Sequence, residues 1–328
     1  MPHQQQSQWD EALEELQREA RADRPGSKAS WAKVLFKRVK ALSDFSGRPC
    51  IIYATACTSS AKQLPPGALQ IDFSDKIGFS VVTQSLSANP IDLILHSPGG
   101  FPEAAESIVE SLRAKFPHIR VIVPSFAKSA ATMMSMAADE ILLDDDAELG
   151  PIDPQMQTAN GFSPAEAIKE QFLKAGQEIS ADPKRLSVWL PILQQMGSSM
   201  LIQCDSAIEL SKTLVRQWLT RFMFNGDPEG EGKADAVASF LGQHSNFKSH
   251  ARCIRLKELQ ERNFGLKVFS ARTPNELHRK IWDVYCAIDV IFAGSGIFKI
   301  FYNSKEEGMV RAVQPAFAPM LMQQQAPA

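Results

Sequence analysis

The chain is short of the residues that staple, anchor or charge a protein in a specialised way. Its five cysteines (Cys50, Cys57, Cys204, Cys253 and Cys286) are scattered, and none forms a C-x-x-C pair. That excludes a disulfide framework and a zinc module, and it fits a reducing compartment. Charge of one sign is not in excess: 35 Lys+Arg against 37 Asp+Glu leave a net −2, which excludes a protein that coats polyanions. No sequence-specific nucleic-acid module is visible either. No long hydrophobic run occurs. The longest charge-free stretch, 186–204, carries Pro191, Gly197 and several glutamines, too polar for a membrane span. The N-terminus lacks the apolar segment and cleavage site of a signal peptide, so the expectation is a soluble, cytoplasmic protein.

What is present is an ordinary globular composition over 328 residues, 44% hydrophobic and 22% charged, enough to bury a full core. Residues 1–40 read as a polar, helix-prone arm that breaks at Pro25-Gly26. From Arg18 to Lys40 it holds eight basic and two acidic residues, either a solvated face or a docking arm for a partner or adaptor protein. The Pro/Gln/Ala-rich tail, 313–328, reads as disordered.

Between these ends, continuous apolar runs at 50–58, 92–97, 119–126 and 140–144 suit strands covered on both faces. Helical periodicity at 75–88, 102–116 and 129–138 separates them, which gives a β-α-β-α-β-α-β series and a layered parallel core over 45–180. Beyond residue 160 the pattern turns helical, with candidates at 164–178, 187–196, 205–224, 230–241, 251–263 and 274–292. The region 181–312 is therefore expected to be a helical portion serving oligomerisation or substrate capping. Its apolar side chains (Trp189, Leu190, Phe222, Phe224, Trp282, Phe292, Phe298, Phe301) exceed what a small α/β core should cover. That favours a closed homo-oligomer over a separate helical core.

Two strand-to-helix turns carry the chemistry. In His96-Ser97-Pro98-Gly99-Gly100 the paired glycines free main-chain N–H groups to face an anion or carbonyl oxygen. In Phe126-Ala127-Lys128-Ser129-Ala130-Ala131, Ser129 sits at a helix N-terminus and the Ala130 N–H can donate to a developing oxyanion. Alone, Ser129 is an N-cap and the glycines a tight turn. At corresponding ends of adjacent strands, where α/β sheets place ligands, they supply a nucleophile and two donors.

The stretch LILHSPGG, then VPSFAKSAATMMSMAADEILLDDDAELGPIDPQ, resembles the Clp-protease/crotonase fold, and more narrowly the serine dehydrogenase proteinase group of the signal peptide peptidase A clan. The likeness covers about residues 50–175, with a weaker echo in Ser249-His250, Glu258 and Gly265-Leu266-Lys267-Val268. The resemblance implies an α/β, Clp-protease/crotonase-like core and a serine peptidase acting on polypeptides through an acyl-enzyme. Ser129 would be the nucleophile, and the Gly100 and Ala130 N–H groups the oxyanion donors. It implies no cofactor and no metal. Clp peptidases carry a histidine in the segment matching Gly150–Gln155, but no histidine occurs here between His118 and His244. Signal peptide peptidase relatives use a downstream lysine, which points to Lys169, with Lys174 and Lys184 as alternatives. A lysine serves as base only with a depressed pKa. His250 is the other candidate base, with Asp153 or Asp139 as orienting acid.

Met133, Met134 and Met136 read as core or pocket lining, and Asp144-Asp145-Asp146 as a solvated turn. The Gly226–Ala234 segment has the wrong spacing for a phosphate loop, and no ATPase is encoded. The same core also permits an acyl-coenzyme A enzyme of the crotonase type, or a scaffold that has lost its base.

Overall fold

A computed structural model describes residues 7–22, 28–59, 64–65, 67–158, 161–272 and 274–313. In chain order the helices are α1 (Gln8–Ala22), α2 (Ser30–Ser46), α3 (Asp75–Thr83), α4 (Pro102–Lys115), α5 (Ala130–Met136), α6 (Ala165–Ala181), α7 (Leu186–Leu193), α8 (Met200–Arg221), α9 (Gly230–Gly242), α10 (His244–Phe247), α11 (Leu256–Glu261) and α12 (Asn275–Gly294). The strands are β1 (Cys50–Thr55), β2 (Ile91–His96), β3 (Ile119–Val123), β4 (Phe126–Ala127), β5 (Glu140–Leu143), β6 (Glu148–Leu149), β7 (Gln155–Thr158), β8 (Gly161–Pro164), β9 (Val268–Ser270), β10 (Ile297–Asn303) and β11 (Gly308–Ala312).

The central sheet has the order β11-β10-β1-β2-β3-β5-β9. From β1 to β9 the pairs are parallel, and β10 and β11 add antiparallel to the β1 edge. β1, β2 and β5 read as continuous apolar runs because both their faces are covered. Period-two alternation sorts their side chains: Ile51, Tyr53, Leu93, Leu95, Val121 and Ile141 enter one core with α3, α4, α5, α8 and α9. Ile52, Ala54, Ile94, Ile122 and Leu142 enter the opposite core with α1, α2 and α12. This is a layered α/β architecture, a mostly parallel sheet covered by helices on both faces.

Three findings depart from the sequence reading. The region beyond residue 181 is not wholly helical, because β9, β10 and β11 lie in it and complete the central sheet. The N-terminal residues do not form a free arm. Ala12 is buried, Trp9 Nε1 donates to Asp289 Oδ2 at 2.9 Å on α12, and Glu15 on α1 takes Arg38 (2.6 Å) and Lys37 (3.0 Å) from α2. Much of the local basic charge is thus matched within the fold. Phe224, Phe292 and Phe301 are interior, and Phe222 lies 3.8 Å beneath the Arg113 guanidinium, so part of the expected aromatic surplus belongs to the main core. The Pro25-Gly26 break and residues 314–328 of the tail fall outside the described residues.

No helix among the described residues is long and apolar enough to cross a membrane. The β7–β8 hairpin, α6 and the first half of α8 share a small core of their own around Ala165, Ile168 and Cys204. α7 has no buried residue.

Candidate active site

β2 and β4 end side by side. The Ser97 N–H donates to the Phe126 carbonyl (3.2 Å), and the Lys128 N–H donates back to the Ser97 carbonyl (3.0 Å). The two sequence-marked turns therefore leave the sheet together. Gly99 has φ +93, and a Cβ on it would stand 2.5 Å from the Lys128 carbonyl oxygen, 2.7 Å from Ser129 Cβ and 2.9 Å from the Ala130 nitrogen. Only glycine permits this approach. It brings the glycine turn within touching distance of the serine.

Ser129 joins β4 to α5 at φ 51, ψ −121, a conformation that costs a non-glycine residue about 1–3 kcal/mol. A serine on a sharp, strained strand-to-helix turn projects its hydroxyl out of the surrounding packing, as nucleophile turns require. Its side chain does not cap the helix, so the bland N-cap role is unused. Among the described residues, neither the Ala130 N–H nor the Gly100 N–H is spent on a protein acceptor. Both flank the serine turn, the first at the start of α5 and the second one residue beyond Gly99. Two unsatisfied main-chain donors beside a half-buried serine can hold an oxyanion.

The third side of the site is the segment leaving β6. Gly150 N–H donates to Thr132 Oγ1 (2.9 Å), which donates to the Ala127 carbonyl (2.7 Å). Lys128, next to Ser129, reaches Glu148 Oε2 (2.8 Å) and the Leu149 carbonyl (3.2 Å). Burial pushes the Glu148 carboxyl up, but hydrogen bonds from Cys253, Lys128 and Arg255 outweigh it and leave the group below its usual range. Three residues past Gly150, buried Asp153 meets two histidines. His250 Nδ1 lies 2.7 Å from Oδ1, and His244 Nδ1 lies 2.9 Å from Oδ2. The loop carrying His250 is tied down by reciprocal bonds between Leu149 and Ile254 (2.9 and 3.0 Å). Asp153 thus orients both rings by their Nδ1 atoms and leaves each Nε2 on the far side of its ring.

The expected site residues thus fall into two places. Ser129, Gly100 and Ala130 converge. Asp153 stands three residues beyond Gly150 on the segment leaving β6, and His250 reaches it from the loop between α10 and α11; among the described residues neither is hydrogen-bonded to Ser129. Lys169 is elsewhere. It lies on α6, its side chain 39% exposed, in an ion pair with Asp205 of α8. Lys174 and Lys184 are exposed as well. Asp139 pairs with Arg113 at 2.7 Å and serves the fold. Met133, Met134 and Met136 are all core. The Asp144–Asp146 turn is clasped by Arg272 and His278, with Asp144 itself buried. His244 was not foreseen, and no local signal marks it, since it lies 91 residues from Asp153.

Known proteins give the following similarities. Residues 68–188 match the family described as ClpP-like SDH-type serine proteinase. An uncharacterized protein of Methanocaldococcus jannaschii is 34% identical over 191 residues, 58% of this chain and 56% of that one. A second uncharacterized protein of the same organism is 41% identical over 91 residues, 28% of this chain and 30% of that one. The chain therefore spans about half the length of the first relative and less of the second. Among solved structures, a mutant of a membrane-bound stomatin-specific protease aligns at 17% identity and a TM-score of 0.37, covering 64% of this chain and 79% of that one. A mutant of ClpP1 from Listeria monocytogenes aligns at 15% identity and a TM-score of 0.33, covering 62% and 89%.

Proposed function

We propose that this chain, whose residues 68–188 match the model of ClpP-like SDH-type serine proteinases, is a serine peptidase that cleaves polypeptides through an acyl-enzyme on Ser129. The observation that carries the reading is the strained Ser129 turn packed against Gly99, with the Gly100 and Ala130 N–H groups open beside it. Ser129 Oγ attacks the scissile carbonyl while its proton passes to His250 Nε2. Asp153 holds the imidazole by Nδ1–H and stabilises the imidazolium that forms. The carbonyl oxygen, now negative, is received by Gly100 N–H and Ala130 N–H. The C–N bond breaks, the leaving amine takes the proton from His250, and water then hydrolyses the ester by the same route. We assign the base to His250 because its partner Asp153 stands on the segment lining the serine turn. Lys169, solvent-facing and paired with Asp205, has no such connection.

The same reading makes the working form a homo-oligomer. Residues 186–204 carry no charge, and on α7 Leu186, Val188, Leu190 and Ile192 are 37–63% exposed, with Phe172 and Leu173 of α6 also facing outward. A contiguous apolar surface of this kind normally marks an interface, and enclosing the site would shield neighbouring proteins from an open serine peptidase.

Labelling by a fluorescent fluorophosphonate tests the mechanism, since Ser129 Oγ would form the O–P bond, fluoride would leave and His250 would take the proton. Wild type should label, and Ser129→Ala should not. His250→Ala should label at least 100-fold more slowly, and Lys169→Ala within about threefold of wild type. Undiminished labelling of Ser129→Ala would remove the nucleophile from this reading. Equal loss in Lys169→Ala and retention in His250→Ala would move the base to the lysine.

A further inference from the structure

Lys299, on β10, is fully buried, and so is the carboxylate it meets, Asp75 at the start of α3. The ammonium contacts both Asp75 oxygens at 2.9 Å and donates to the Gln70 carbonyl at 2.6 Å, with Asp72 Oδ2 at 3.4 Å. Asp75 Oδ2 also accepts from Tyr53 OH at 2.8 Å and from the Asp72 N–H at 3.2 Å. The Lys299 and Tyr53 contacts pin one short segment, residues 70–75, to the sheet. Burying an ion pair is poor value for stability, because an apolar replacement of similar size is often neutral or stabilising. The pair calls for another explanation.

That explanation lies in what the segment touches. Ile71, between Gln70 and Asp72, donates its N–H to the Gly99 carbonyl (2.8 Å) and accepts from the Phe101 N–H (2.9 Å). Gly100 is thus bracketed on both sides by bonds to one residue. It also lies so close that a Cβ on it would stand 2.3 Å from both the nitrogen and the oxygen of Ile71. The direction of the Gly100 N–H is set by where Ile71 stands, and Ile71 stands where Lys299 and Asp75 hold its neighbours.

We propose that the Lys299–Asp75 pair is a brace that aims the Gly100 N–H at the reacting oxyanion, so that Lys299, Asp75 and Tyr53 are positioning residues for acyl transfer. The inference rests on the reading of Ser129 and Gly100 above. A donor held to within tenths of an ångström is worth most in the transition state, where the oxygen carries its charge. Loosening the brace should therefore slow the chemical step and leave ground-state binding unchanged.

The test uses the full chain and a fluorescent fluorophosphonate, read as a limiting labelling rate and a half-saturating concentration, with near-UV circular dichroism reporting the fold. The brace variant is Lys299→Met with Asp75→Asn, which removes both charges together. The control is Arg120→Met with Asp92→Asn. It removes another ion pair of the same sheet (2.8 Å, Asp92 fully buried) at the opposite end of β2 from Ser97. The brace variant should lose 10- to 100-fold in limiting rate with half-saturation within twofold of wild type. The control should stay within twofold on both. Tyr53→Phe keeps the ion pair, removes one bond to Asp75 and should lose about two- to fivefold in limiting rate. A folded brace variant at the wild-type rate overturns the proposal, and so does an equal loss in the control. If the brace variant does not fold, Tyr53→Phe decides, and a wild-type rate there overturns it. Absence of labelling in wild type itself would strike the Ser129 reading and the brace with it, an outcome separate from a loss confined to the variants.

Discussion

Acidification from pH 7 to pH 4 should cost this fold about 3 kcal/mol through His96 alone. His96 closes β2, is 1% exposed, and packs its ring 4.7 Å from Phe126 and 5.2 Å from Tyr285, with Cys57 Sγ at 3.6 Å from Nε2. Among the described residues its Nδ1 has no hydrogen-bond partner. Burial lowers its pKa from 6.5 to about 4, because nothing nearby compensates a positive ring. In the unfolded chain the same group titrates near 6.5. Between those two values the unfolded state holds one proton more than the folded state, so stability rises with pH across the window. Above it His96 is neutral in both states and imposes no penalty. As pH falls from about 6.5 towards about 4 the penalty grows at about 1.4 kcal/mol per pH unit and reaches about 3 kcal/mol.

Urea unfolding followed by circular dichroism at pH 7, 6, 5 and 4.5, on wild type and His96→Gln, isolates this contribution. Glutamine keeps a polar group near Cys57 but cannot titrate. The pairs His250–Asp153 and His278–Asp144 are present in both proteins and cancel in the difference. The stability of wild type minus that of the variant should fall with a slope of about 1.4 kcal/mol per pH unit below pH 6 and be flat above pH 7. A difference that does not change between pH 6 and 4.5 refutes the reasoning. The effect also reaches the site, because His96 directly precedes the Ser97-Pro98-Gly99-Gly100 turn. Acid inactivation should therefore coincide with loss of near-UV signal.

Relief of backbone strain gives a second prediction: Ser129→Gly should exceed Ser129→Ala in unfolding free energy by about 1 kcal/mol in thermal or urea melts, since only glycine accepts φ 51, ψ −121 without cost. Gly99→Ala should be far worse, losing about 3 kcal/mol or more and all fluorophosphonate labelling, because its Cβ meets the fixed Lys128 carbonyl at 2.5 Å. Light scattering at micromolar concentration should give a mass that is a multiple of 36.2 kDa, and a strictly monomeric mass would reject the assembly.

The half of the fold that was legible in the sequence is the half whose signals are local. The apolar runs at 50–58, 119–126 and 140–144 contain β1, β3 and β5, and the run at 92–97 holds all of β2 but Ile91, since a strand covered on both faces needs no alternation to be seen. Pro102 and the Ala105, Ile108, Val109, Leu112 stripe placed α4 to within a residue. The turns at Gly99-Gly100 and Ser129 were visible for the same reason, each being a short motif with a mechanism. β10 was not. Ile297–Asn303 is apolar enough to extend the helix before it, and Lys299 in its middle reads as surface until partners more than 220 residues away bury it. β9 is three residues long and pairs only because β5 is already there. The Asp153–His250 contact spans 97 residues, a distance over which spacing carries no chemistry.

That long contact also explains why the two halves of the chain are both needed for the proposed reaction. The family match ends at residue 188, so it holds Ser129, the two donors and Asp153 but not the histidine. The segment Gly150–Gln155, where Clp peptidases carry their histidine, carries a buried carboxylate here, and the imidazole arrives from the C-terminal half through the Leu149–Ile254 pairing. The three groups then run Ser129, Asp153, His250 in chain order. Triads depend on geometry and not on order, and the same nucleophile, acid, base sequence is found in an unrelated hydrolase fold. In the proposed mechanism, this exchange of local and remote partners leaves the proton route from the Ser129 hydroxyl to the His250 imidazole unchanged. It also makes the base dependent on the loop between α10 and α11. Breaking one of the two Leu149–Ile254 bonds by Ile254→Pro, which deletes the N–H that the Leu149 carbonyl accepts, should detach His250 from Asp153. Labelling would then fall as far as in His250→Ala, whereas a rate near wild type would show that the loop is not what holds the base.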